Sequence, residues 1–273
     1  METNEWVTGE VVMSVGGEPL KMQMTVPATP VKPHRMLPVF QKMTNSFVEM
    51  SAMAAGARGE TISCRAGCGA CCRQPVPISE LEIYALAELV DDMPEPRRSE
   101  VKERFRAAAG HFHDMGWFDR MRSIADLTLT ESEEKVTSEL NKASIDYFKE
   151  GVACPLLDLE TESCSIHESR PVACREYLVT SPAINCSEPT RDTIKKVDLF
   201  IKPSKTLRWV GATGTFTGII PMVRALELAE ANPEKFEEKT GERWAADFFE
   251  KLTRQDIPDT GIDPAEKSAK NSF

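Results

Sequence analysis

The sequence predicts an α+β protein, mainly α with small β elements, in which an irregular cysteine-rich metal-binding centre packs on helices behind an N-terminal β-hairpin. Three observations carry this. Apolar and polar residues alternate at the amino end, apolar residues recur at three- and four-residue spacing in several later segments, and eight cysteines fall in two turn-rich blocks.

Val11, Met13 and Val15, then Leu20, Met22, Met24 and Val26, alternate about Gly16-Gly17, which reads as a hairpin over residues 7–26. Pro27, Pro30 and Pro33 deny continuous helix to the next stretch and make it a linker. From about Leu37, the residues Phe40, Met43, Phe47, Met50 and Met53 form one apolar helical stripe. Ser79-Glu80-Leu81-Glu82 has the form of a capping box and leads into Ile83, Leu86 and Leu89, so a helix starts there. Pro94 and Pro96 close it; a charged helix over 97–113, a shorter one over 117–124 and another over 131–148 follow. The second cysteine block has short apolar pieces broken by acidic turns and by Arg170-Pro171, which predicts loops and a small hairpin. Residues 196–210 contain strand-like pieces, 220–231 and 242–252 read as helices, and the end from Asp256 is expected to fray. The organisation expected is a hairpin and linker over 1–33, a cysteine-cluster metal-binding domain over 34–215, a helical extension over 216–255 and a disordered tail over 256–273.

A chain of 273 residues with 41% hydrophobic and 28% charged residues has the composition of an ordinary globular protein. No apolar run approaches the roughly 20 residues of a spanning helix, and the acidic start lacks the form of a signal peptide. A cytoplasmic location without membrane association is the expectation. Net charge is −10, and no basic stripe interleaved with aromatics is present, which argues against a nucleic-acid partner.

In a reducing compartment, clustered cysteines serve metals or redox chemistry more often than structural bridges. Cys64, Cys68, Cys71 and Cys72 lie within nine residues and cannot pair sensibly among themselves, whereas they can share a cation. Cys68-Gly69-Ala70-Cys71 is a Cys-x-x-Cys knuckle, which sets two sulfurs on one side at the reach of a tetrahedral ion. Gly69 would allow a positive φ there. Cys72 should diverge from Cys71 and serve a second metal or a bridge. With Cys154, Cys164, Cys174 and Cys186 the ligand set reaches eight, enough for two four-sulfur sites to which each block contributes. Arg65, Arg73, Arg170 and Arg175 lie within four residues of a thiol, placed to offset the thiolates, lower their pKa values and donate hydrogen bonds to sulfur. Zinc, iron and an iron–sulfur cluster all suit such donors.

The remaining candidates read mostly as structure. His167, between Cys164 and Cys174, is a second-sphere or surface histidine before it is a ligand. His111 and His113 point to different faces of a charged helix. Asp91-Asp92 and the acidic run 131–134 are helix-terminal charges. The glycine-rich segment 210–218 lacks a dinucleotide fingerprint and reads as a turn feeding an N-cap at Thr217. Trp209 and Trp244 read as packing.

These residues resemble the YkgJ-type cysteine-cluster family, the zinc- or iron-chelating CxxCxxCC domain. The likeness rests on Cys64-Arg-Ala-Gly-Cys68-Gly-Ala-Cys71-Cys72-Arg73 with Ile78-Ser79-x-x-Glu82, and on Cys154-Pro-Leu, Cys164-Ser-Ile-His167-Glu168-x-Arg170-Pro171-x-x-Cys174-Arg175 and Cys186. It covers roughly residues 58–187, with one extra residue between the first two cysteines. The resemblance implies metal chelation by these cysteines. A relative described as a flagellin lysine methylase carries similar cysteines, which implies a metal- or cluster-dependent group-transfer enzyme as an alternative. A thiol redox sensor built on Cys68, Cys71 and Cys72 is a third reading.

Overall fold

A computed structural model describes residues 5–15, 17–190 and 193–253; the expected frayed end from Asp256 lies outside them. β1 (Trp6–Val15) and β2 (Glu18–Pro27) pair antiparallel from Trp6 opposite Pro27 to Val15 opposite Glu18, which leaves the Gly16-Gly17 pair as the connection. Gly17 has φ +89°, the sign that a tight two-residue turn demands. Alternation decides the rest: Met22, Met24 and Val26 of β2 are buried while Lys21, Gln23 and Thr25 face solvent.

After a 3-10 turn at Pro33–Met36, α1 (Leu37–Ala57) runs through the main core. Phe40, Met43 and Phe47 are buried as the stripe predicts. Met53 is not; it is 75% exposed, because six residues beyond Phe47 the helix has turned about 240° from the core direction. Ser51 and Ala55 take the inward positions.

α2 (Glu80–Asp91) opens on the complete capping box of Ser79 and Glu82. α3 (Arg97–Asp114), α4 (Trp117–Leu127) and α5 (Glu133–Lys149) follow close to the expected bounds. They enclose a satellite core in which the Phe112 and Tyr147 rings stack 3.7 Å apart, with Trp117 edge-on and its Nε1 donating to the Ala143 carbonyl at 2.9 Å.

The rest of the chain folds back over α1 and α2. β3 (Pro77–Ile78) pairs with β6 (Ile220–Pro221), and β4 (Leu157–Asp158) with β5 (Ser163–Cys164), the small hairpin expected in the second block. α6 (Val172–Glu176) follows Arg170-Pro171 and packs on α1, a helix the loop reading missed. Two further expectations are corrected. The stretch 196–210 contributes only a single bridge, Lys196 to Val179, and then α7 (Pro203–Leu207), because Pro203 is suited to open a helix. The helix expected over 220–231 is shortened to α8 (Ala225–Ala231), since Pro221 holds Ile220 extended and commits both to β6. α8 lies along α2.

α9 (Gly241–Thr253) closes the core, with Phe248 stacked on Phe40 at 5.0 Å and the buried Trp244 donating Nε1 to the Val31 carbonyl at 2.7 Å. Gly241 touches β2: a Cβ there would lie 2.6 Å from that of Val26. Among the described residues, no helix is long and apolar enough to cross a membrane.

Candidate metal centre

Separate pieces of chain, from two blocks far apart in sequence, carry the thiols to one place. Cys64 and Cys68 lie on the irregular segment after α1, held by the Ser63 amide donating to the Val179 carbonyl at 2.9 Å. Cys71 and Cys72 lie on a 3-10 turn, Ala70–Arg73, and the Cys154 amide donates to the Cys72 carbonyl at 2.7 Å. That one bond joins residues 82 positions apart. Cys164 sits on β5 opposite Leu157, Cys174 on α6, and Cys186 on a 3-10 turn, Ala183–Ser187, packed against the Cys71-Cys72 turn.

α6 is fixed by a contact that the sequence showed only in part. Glu82, the capping-box carboxylate, accepts from the Ser79 amide at 2.8 Å and hydroxyl at 2.7 Å, and its other oxygen accepts from the Val172 amide at 2.8 Å. The first turn of α2 thus holds the first turn of α6, and with it Cys174.

All eight predicted cysteines, Cys64, Cys68, Cys71, Cys72, Cys154, Cys164, Cys174 and Cys186, line a single cavity of about 660 Å³. None is in a disulfide. Among the described residues, no three His, Cys, Asp or Glu side chains are drawn closely enough together to form a ready ion cage. The thiols share a chamber rather than a tetrahedron. Its walls between them are apolar, from Pro75, Val76, Leu156, Ile166 and Met222.

Burial raises the pKa of the Cys64, Cys154, Cys164, Cys174 and Cys186 thiols, Cys154 to about 12. Cys71 is raised chiefly by a hydrogen bond with Cys72 and then by burial. Two expectations fail here. The adjacent Cys71 and Cys72 side chains meet instead of diverging, because a 3-10 turn does not alternate its side chains as a strand does. The net effect on these six thiols is upward, so desolvation outweighs the arginines. A cation entering this chamber must displace protons to gain thiolate ligands.

The arginines divide by what they touch. Arg73 makes a two-pronged pair with Glu162 at 2.9 and 2.9 Å and also donates to the Gly69 carbonyl. Arg175 is buried and spent on Asn45 and on the carbonyls of Glu168 and Arg170. Arg65 lines the chamber from an exposed position. Arg170 differs: it lines the chamber, its Nη1 contacts His167 Nε2 at 2.9 Å, and its buried Nε finds no acceptor among the described residues. Its charge acts on Cys64, Cys71 and Cys164. A buried N–H without an acceptor, on a side chain that lines a thiol-rich apolar chamber, is available as a hydrogen-bond donor there.

Gly69 has φ −88°, not the positive value expected; Gly67, at +75°, makes that turn. Space is tight at Gly69: a Cβ would run into the Glu162 carboxylate and lie 3.0 Å from Leu157 Cδ1, so those side chains would have to shift. Glu162 itself, a non-glycine residue at φ +49°, carried no sequence signal. His167 stands at the chamber rim with its side chain 62% exposed. His111 pairs with Glu150 at 2.9 Å and His113 is exposed, both away from the chamber. Thr217 caps nothing, since α8 starts eight residues later; Thr213 of that segment instead donates its amide and hydroxyl to the buried Glu80. Trp244 is core, and Trp209 is half-buried beside a separate 440 Å³ cavity.

Residues 63–198 match the model of the CxxCxxCC family, described as "Putative zinc- or iron-chelating domain". No curated protein and no solved structure matches the chain.

Proposed function

We propose, for a chain that belongs to the zinc- or iron-chelating CxxCxxCC family through residues 63–198, that all eight cysteines are ligands and that they serve two metal positions. The observation that carries this is the convergence of all eight, from two blocks far apart in sequence, on one chamber. Zinc, iron or an iron–sulfur assembly would each be held by thiolates there, and the bound metal would chiefly organise the fold.

The division follows which sulfurs influence which. Cys186 is influenced by Cys64, Cys68 and Cys71. Cys174 is influenced by Cys154, Cys71 and Cys164, and Cys154 by Cys164 and Cys71. We assign Cys64, Cys68 and Cys186 to one position and Cys154, Cys164 and Cys174 to the other. Cys71 and Cys72, in contact with each other, stand at the boundary and complete both. Arg170 offers its spare N–H to sulfur and its charge to the excess negative charge of a thiolate site. Eight unpaired thiols also suit the reducing cytoplasm, where we place the chain. The upward shift at Cys71 opposes a low-pKa redox cysteine at that position.

Anaerobic purification followed by elemental analysis and a visible spectrum tests the reading, because iron–sulfur clusters absorb visible light and zinc does not. Less than one equivalent of zinc plus iron would overturn it. Cys174→Ser and Cys186→Ser should each remove part of the metal and leave the rest; complete loss in both would replace two positions by one cooperative centre.

A further inference from the structure

The hairpin carries a second feature that owes nothing to the cysteines. β1 pairs with β2 on one side, and among the described residues its other edge pairs with nothing. The Ala28 amide donates to the Glu5 carbonyl at 2.8 Å, extending the register by one hydrogen-bonded pair. Such pairs recur every second residue, so the odd-numbered residues of β1 bond to β2. Trp6, Thr8, Glu10, Val12 and Ser14 therefore turn their N–H and C=O groups to the open edge.

Natural sheets blunt such an edge with lysine, proline, a bulge or a short strand. β1 has none of these, and its one charged side chain is Glu10. It runs ten residues, its register with β2 is unbroken, and it contains neither lysine nor proline. Trp6 is 59% and Val12 56% exposed on the outer face.

We propose that this edge pairs with the same edge of a second copy of the chain, antiparallel, about a two-fold axis at Gly9. The pattern of β1 is complementary to itself in that register. Trp6 falls opposite Val12 of the second copy, Val7 opposite Val11, and Thr8 opposite Glu10. Even-numbered residues meet even-numbered ones, as edge-to-edge hydrogen bonding requires. Each exposed tryptophan gains an aliphatic neighbour, each Glu10 faces a hydroxyl, and Gly9 sets no side chain at the axis. Moving the axis to Glu10 would set two carboxylates directly opposite each other, which charge repulsion disfavours. The product is a four-stranded sheet across an isologous interface.

Sedimentation of the full chain from micromolar to sub-millimolar concentration should show a reversible monomer–dimer equilibrium. Thr8 is the register-specific probe. Thr8→Lys and Thr8→Glu both lose its 2.9 Å hydroxyl contact with Thr25 and so perturb the monomer alike. Across the axis, Thr8→Lys meets Glu10 and should tighten the dimer, while Thr8→Glu sets like charges opposite twice and should weaken it, the two differing on the order of tenfold in dissociation constant. Adding Glu10→Lys to Thr8→Glu should restore pairing. A monomer at every concentration, or equal constants for the two Thr8 variants, would overturn the proposal. Metal content enters none of these readouts.

Discussion

Glu82 is the residue whose removal most directly tests how the metal chamber is held. It is 2% exposed, and its two oxygens collect three donors, the Ser79 amide and hydroxyl and the Val172 amide. Glu82→Ala leaves two buried backbone amides without acceptors, and at about 1–3 kcal/mol for each orphaned donor the expected loss is about 2–6 kcal/mol. Ser79→Ala is the control. It removes one cap hydroxyl and leaves both amides bonded to Glu82, for a cost of about 1 kcal/mol. Urea titration of both variants against the parent chain reads the difference. Because Val172 opens the helix that carries Cys174, Glu82→Ala should also lower the metal bound per chain, while Ser79→Ala should not. If the glutamate variant is no less stable than the serine variant, the link between α2 and α6 does not fix the chamber, and this account of how Cys174 is placed fails.

Three further outcomes can be checked in the same way. Gly69→Ala should cost about 1–3 kcal/mol in thermal unfolding, because the new methyl meets Leu157 and displaces the Glu162 carboxylate from its pair with Arg73; a neutral effect would show that the knuckle has slack. His34 is 4% exposed and its pKa is lowered, chiefly by burial, against the opposing pull of Glu88 and Glu234. The unfolded chain therefore takes the proton first as pH falls, so the stability from neutral His34 is full above the unfolded value of about 6.5 and is lost below it. His34→Gln should flatten that acid-side decline in a pH series of melting curves, and an unchanged slope would assign it to other groups. Phe112→Ala, which deletes the ring stacked 3.7 Å from Tyr147, should destabilise by about 3–5 kcal/mol in urea, and a cost below about 1 kcal/mol would mean that the satellite core collapses without it.

Local patterns gave the elements whose signal is local. The hairpin, the capping box at Ser79, and the helices from α1 to α5 and at α9 follow from period-two and period-3.6 spacing and from proline breaks, which act within a few residues. The same logic failed where a partner distant in sequence decides the conformation. Ile220-Pro221 became a strand because Pro77-Ile78 lies beside it. Gly69 was singled out for a positive φ that it does not adopt, while the Glu162 side chain that a Cβ there would meet comes from 93 residues further on.

Ligand chemistry belongs to the residue and not to its surroundings, so the order of amino acids is enough to mark eight thiols in two blocks as candidate ligands, in the pattern that the family model matches over residues 63–198. That those thiols share one chamber, that Cys71 touches Cys72, that burial outweighs the arginines, and that Arg170 keeps a buried N–H in reserve emerge once the chain is folded. The physical reason is desolvation and the cost of loop closure: both depend on what surrounds a group once remote segments meet, and neither is written in the order of neighbours along the chain.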